Sequence, residues 1–168
     1  MEIVLGLDAD TYAWPLTTNG AAAQAGGMVT GPAGLVRVVE SALGLGALPV
    51  PAVRRLALWR AKLAASDGPG RFWNRSFATD PFGTARLLLG WRDSLIEAGW
   101  DAVALTDPPP RLADLAAAEA IHPVLPPGPA DRIRRALALL RDDPPPQPAV
   151  GLIRVLDADH RAVGPWDP

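Results

Sequence analysis

Between Asp80 and Gly99 the chain marks both ends of one helix, and nothing else in it constrains the fold as tightly. Asp80 offers a side-chain oxygen to the unpaired amides of a first turn. Pro81 already has the φ that this turn needs, and Gly99 can adopt the left-handed conformation that ends a helix. Phe82, Ala85, Leu88, Leu89, Arg92, Leu95 and Ile96 recur at helical spacing and form the expected buried stripe, with Arg92 its polar exception.

Other segments follow the same punctuation. A helix is expected over 32–43, opened by Pro32, capped by Thr30 and ended by Gly44 and Gly46. A second is expected over 51–65, with Val53, Leu56, Ala57, Trp59, Arg60 and Leu63 giving it amphipathic spacing and Arg54, Arg55 and Lys62 facing out. Shorter helices are expected over 112–120 and 130–140, and residues 71–77 form a short aromatic segment. Residues 2–7, 28–30 and 150–156 have strand character, and 144–148 is a stiff, proline-rich spacer. The expected fold class is α/β: helix-rich, with a small, mostly parallel sheet, a degenerate P-loop-like strand–loop–helix and a helical insertion. The expected organisation is a single domain over 1–168, the insertion covering about 47–141.

The segment 27–40, Gly-Met-Val-Thr-Gly-Pro-Ala-Gly-Leu-Val-Arg-Val-Val-Glu, runs from a short apolar strand through glycines into a helix. Nucleotide loops share that shape, but they continue into Gly-Lys-Ser/Thr, where the Lys reaches the β/γ oxygens and the hydroxyl holds Mg²⁺. Leu35-Val36-Arg37-Val38 stands in that place, so no cofactor is expected. If any residues touch a phosphate, they are Thr30, Gly31, Gly34 and Arg37, at the positive end of a helix. The plain alternative for Arg37 is a solvated side chain one turn into that helix.

Composition excludes several classes. A net charge of −2 gives no global basic field for nucleic acid, and the fifteen Arg against one Lys, Lys62, are more simply explained by a coding bias than by a phosphate-binding surface. Without cysteine there is neither disulfide nor thiolate chemistry. No apolar run approaches the ~18 residues of a membrane span, so a soluble cytoplasmic protein is expected.

Candidate chemistry is sparse. His122 and His160 are the only histidines, and neither lies at i, i+4 from another ligand, so no metal site is expected. Asp157, Asp159 and His160 form either a polar turn after a strand or carboxylates at a strand end, where α/β sheets place ligands. No Gly-x-Ser-x-Gly elbow is present, and no catalytic residue is assigned. Trp59, Trp73, Trp91 and Trp100 interleave with Arg60, Arg71, Arg75 and Arg92. That pattern suits large core anchors beside snorkelling arginines, and it also suits a clamp for single-stranded nucleic acid.

Four segments carry a family resemblance: Val29-Thr30-Gly31-Pro32-Ala33-Gly34-Leu35; Leu43-Gly44-Leu45-Gly46; Phe72-Trp73-Asn74-Arg75-Ser76-Phe77 leading to Asp80-Pro81; and Thr84 to Leu95 with Ala98-Gly99-Trp100. Together, over roughly residues 28–101, they resemble the N-terminal region of large bacterial PD-(D/E)XK nuclease family proteins related to AddB/RecB-type helicase–nuclease subunits. Trp91-Arg92-Asp93-x-Leu95-x-x-Ala98-Gly99-Trp100 is the most specific part. The resemblance implies a helicase-like N-terminal domain whose ATP site is often degenerate, with the nuclease far downstream. Nuclease chemistry needs an Asp followed by an Asp/Glu-x-Lys element to hold Mg²⁺. The only Lys here, Lys62, follows Trp59-Arg60-Ala61, so neither the activity nor its metal ligands carry over.

The expected function is therefore a non-catalytic domain of a DNA-repair or phage-defence nuclease. It would bind DNA, or dock a downstream nuclease domain or helicase partner subunit. The alternative is a free-standing adaptor or regulator with no nucleic-acid role.

Overall fold

A computed structural model describes residues 2–6, 10, 27–46, 50–142 and 152–155. Two compact units divide the chain: one holds Met1–Ala47 with Ala136–Pro168, the other Leu48–Arg135.

In the first unit, β1 (Glu2–Leu5), β2 (Gly27–Thr30) and β3 (Leu152–Val155) are four-residue strands in the order β2-β1-β3, both pairings parallel. Glu2 lies opposite Gly27 on one side and Leu152 on the other. Helix α1 (Pro32–Ala42) follows β2 with one residue between them. It ends as its glycine signal requires. Gly44 has φ +67°, the Leu45 amide donates to the Glu40 carbonyl at 2.8 Å, and the Gly44 amide donates to Ser41.

The second unit is built from helices: α2 (Ala52–Ser66), α3 (Asn74–Thr79), α4 (Pro81–Glu97), α5 (Pro110–Glu119) and the start of α6 (Pro129–Asp142). Both ends of α4 obey their sequence signals. Asp80 accepts the Gly83 amide at 2.9 Å, Gly99 has φ +102°, and Trp100 N–H closes the last turn on the Leu95 carbonyl at 2.8 Å. Trp59, Leu63, Trp73, Phe77, Ala85, Leu88, Ile96, Trp100 and Leu115 make one apolar core, which α2 to α5 and their connections build. Short α3, overlapping the segment expected only to be aromatic, adds Phe77 to it.

The α/β expectation is corrected by this arrangement. The described chain is helix-rich and is not organised by a parallel sheet. Parallel sheets persist where both faces are covered by apolar packing. Here Met28, Val29 and Ile153 stay exposed, and Ile3 is the only buried hydrophobic residue among the described strand side chains. The apolar core belongs to a helical unit that contains no strand among its described residues. The spacer 144–148 lies outside the described residues.

Candidate functional site

The glycine loop was the first candidate. Gly31 precedes α1 in extended conformation, and its carbonyl accepts the Leu35 amide at 2.9 Å, the first bond of the helix. The next free amides of that turn belong to Ala33 and Gly34, and both are occupied. Asp10 reaches in with one carboxylate oxygen on Ala33 N at 2.6 Å and the other on Gly34 N at 3.2 Å. A carboxylate there gains from both the unpaired amides and the helix dipole.

Thr30 does not cap α1 as expected. It is buried, and its hydroxyl donates to the adjacent Gly31 carbonyl at 3.3 Å. The cap comes instead from Asp10, twenty-three residues before Ala33. The glycines permit this approach: a Cβ on Gly31 would collide with the Asp10 backbone and carboxylate, and one on Gly34 with the Thr30 hydroxyl. Thr30, Gly31 and Gly34 are thus brought together around Asp10. Arg37 lies one turn further along α1, exposed and without an ion pair to any described residue.

The second candidate is the charge buried in the helical unit. Arg55 and Lys62, expected to face out, are 6% and 2% exposed, and Arg92 is 3% exposed. Arg55 grips Asp93 with two parallel bonds at 2.6 and 2.7 Å and donates to the Pro126 carbonyl at 3.0 Å. Arg92 takes both oxygens of Glu119 at 3.2 Å, reaches Asp131 at 2.7 Å and reaches Asp93 at 3.0 Å. Asp131 closes the circuit on Arg55 at 3.2 Å. The result is a ring, Arg55–Asp93–Arg92–Asp131, that ties α2, α4 and α6 together and extends through Glu119 to α5.

Lys62 completes the balance. Its ammonium donates to the Glu119 carbonyl at 2.7 Å and to the Ile121 carbonyl. Three cations thus face three carboxylates. Each ionised group retains hydrogen-bonded partners, the condition under which buried charge is tolerated. Gly128 shapes one wall: a Cβ there would meet the Arg55 guanidinium at 2.5 Å, while the Gly128 amide donates to Asp131 at 2.8 Å.

The electrostatics follow. Burial works against the Arg92 charge, but the hydrogen bonds and charges of Asp131 and Glu119 outweigh it and hold the guanidinium more firmly protonated than usual. Burial also opposes the Asp131 charge. Arg92, the Gly128 amide and Arg55 overcome that opposition, so its pKa lies below the ordinary carboxylate value. For Lys62, burial lowers the pKa, Glu119 partly offsets this, and Arg92 adds to it.

The tryptophans divide. Trp59, Trp73 and Trp100 are core anchors, and Trp100 donates its indole N–H to the Val103 carbonyl at 2.9 Å. Trp91 is 40% exposed. Arg71 is held by Asp114 at 2.6 Å and lies against the Trp73 ring.

Sequence reasoning missed Asp10, Glu119 and Asp131, and singled out Asp93 only as part of the resemblance. Asp10 carries no local signal, because its partners are remote in sequence. The ring was partly readable: Arg55, Trp59 and Lys62 recur at i, i+4 and i+7, which puts both cations on the face of an expected core tryptophan. Among the described residues, no cluster of His, Asp or Glu is arranged to hold a metal, and no helix is long and apolar enough to cross a membrane. His122 is exposed, while Asp157, Asp159 and His160 lie outside the described residues. No family model, curated protein or solved structure matches the chain.

Proposed function

We propose that the chain is a non-catalytic, helicase-like N-terminal domain of a DNA-repair or phage-defence nuclease. It works in the cytoplasm, where it binds DNA or docks a downstream nuclease domain or helicase partner subunit. The observation that carries this reading is the Asp10 carboxylate on the Ala33 and Gly34 amides. A nucleotide phosphate at that helix end would have to displace a covalently tethered anion, with Leu35-Val36-Arg37 supplying neither the Lys nor the hydroxyl that repays such an exchange.

The motif residues of the resemblance support the same reading from the other unit. Arg92 and Asp93 are two of the four ring members, and Trp100 is a core anchor. Their chemistry is spent on holding helices together. Residues used that way transmit an architecture rather than an activity.

Two titrations test the proposal. Isothermal calorimetry with Mg²⁺–ATP is expected to give no heat of binding, and micromolar affinity would overturn the claim that the loop is closed. Fluorescence anisotropy with labelled DNA at low salt is expected to give binding that weakens as salt rises, since each neutralised phosphate releases counterions. Where DNA binding is absent, association with the downstream nuclease polypeptide is the remaining arm; absence of both would leave the free-standing adaptor.

A further inference from the structure

Trp91 is the exception among the four central tryptophans, and its surroundings are built. The Phe72 ring lies 6.2 Å from it, centroid to centroid, at an interplanar angle of 16°. Offset stacking at this separation is favourable, and it holds the exposed indole against the Phe72 ring. Trp73 meets Phe72 edge-on at 5.1 Å and 78°, anchoring it to the core, and the Arg111 guanidinium sits 5.7 Å from the Phe72 centroid. The support continues through the backbone: the Phe72 amide donates to Asp114 at 3.1 Å, and the same carboxylate holds Arg71. Phe72 is therefore fixed before anything arrives.

Asp114 pairs with Arg71, whereas exposed Arg111, over the Phe72 ring, makes no ion pair with any described residue. A rigid aromatic face with an unpaired guanidinium beside it meets the two recurrent needs of single-stranded nucleic acid, a flat partner for a base and a cation for the backbone. A duplex keeps its bases stacked on one another and cannot use the indole. A purely apolar protein partner leaves Arg111 uncompensated.

We propose that Phe72 and Trp91 form a stacking platform for an unpaired base of single-stranded nucleic acid, with Arg111 contacting its phosphates. This rests on the nucleic-acid arm of the proposed function and assigns that arm to one face of the helical unit. Base stacking on the indole supplies sequence-tolerant affinity, so no base preference is expected.

The test uses the full chain and fluorescein-labelled oligo-dT, with a duplex of equal length as comparison, followed by anisotropy at low salt. Single-stranded DNA is expected to bind more tightly than the duplex and to quench intrinsic tryptophan fluorescence. Trp91→Ala is expected to weaken single-strand binding by about tenfold, within the range measured for one base–aromatic stack. Trp91→Phe, which keeps a flat ring, should retain most of the affinity. Unchanged far-UV circular dichroism shows that each variant is folded. Salt-dependent DNA binding that is indifferent to Trp91→Ala overturns the platform and leaves DNA binding standing. No binding to either DNA overturns both and leaves the docking arm. Loss of the Trp91 signal only on addition of the nuclease polypeptide reassigns the face to a protein partner and also overturns the platform.

Discussion

In the loop before α1 a single carboxylate, from Asp10, meets two amides, and the shorter of these bonds is exposed to solvent. In the helical unit six ionised groups, three of each sign, are drawn together from α2, α4, α5 and α6, and its cations are all but closed to water. Both regions look like chemistry in the sequence: a glycine-rich phosphate loop in one, a run of tryptophan and arginine in the other. In both, the carboxylates are bonded from within. The difference is depth. An exposed carboxylate on a helix end contributes modestly and leaves little damage behind when removed. A buried ring is all-or-none, because deleting one member strands the others in a low-dielectric interior.

That contrast can be broken by substitution. The largest effect is expected from Arg92→Ala, which leaves Glu119 and Asp131 buried without their main partner. It should destabilise by about 3–5 kcal/mol, read from chemical denaturation followed by circular dichroism. A loss below about 1 kcal/mol would mean that the ring behaves like a surface pair.

Acid provides an independent handle on the same ring. The folded pKa of Asp131 is depressed, so the unfolded chain takes up that proton first as pH falls. The stability contributed by Asp131 is therefore fully present above its unfolded pKa of about 3.9 and is lost as pH falls through its lower folded value. Urea midpoints measured from pH 7 down to pH 2 should show this acid limb, and Asp131→Asn should flatten it. An equally steep limb in that variant would place the acid sensitivity elsewhere.

Two smaller effects probe the loop. Gly31→Ala forces a Cβ into Asp10 and should cost about 1–3 kcal/mol, the usual range for overpacking. Asp10→Ala removes only the cap and should cost about 1 kcal/mol. Hydrogen exchange would register it as faster exchange in the first turn of α1. If Asp10→Ala proved as damaging as Arg92→Ala, depth would not be what separates the two regions.

Much of the local structure was legible in the residues themselves. Asp80, Pro81 and Gly99 delimit α4 because capping and left-handed glycine are decided within one turn, and Gly44 ends α1 for the same reason. Side-chain direction was less legible. Phe82, expected in the buried stripe, is exposed beneath the Arg60 guanidinium at 4.7 Å, while Arg55 and Lys62 turn inward. An arginine on a helix faces whichever side holds carboxylates, and those of Asp93 and Asp131 lie 38 and 76 residues from Arg55.

The sequence by itself determined where α4 begins and ends, that a nucleotide loop's lysine and hydroxyl are missing, and that no cysteine chemistry is available. Each of these depends on residue identity or on contacts within a few residues. Only the tertiary structure decided that the core is helical rather than sheet-based, that Asp10 fills the helix end, that the arginines form a closed ring, and that Trp91 alone of the central tryptophans faces solvent. Those outcomes depend on groups tens of residues apart meeting in space, where burial and charge pairing are settled by the fold as a whole.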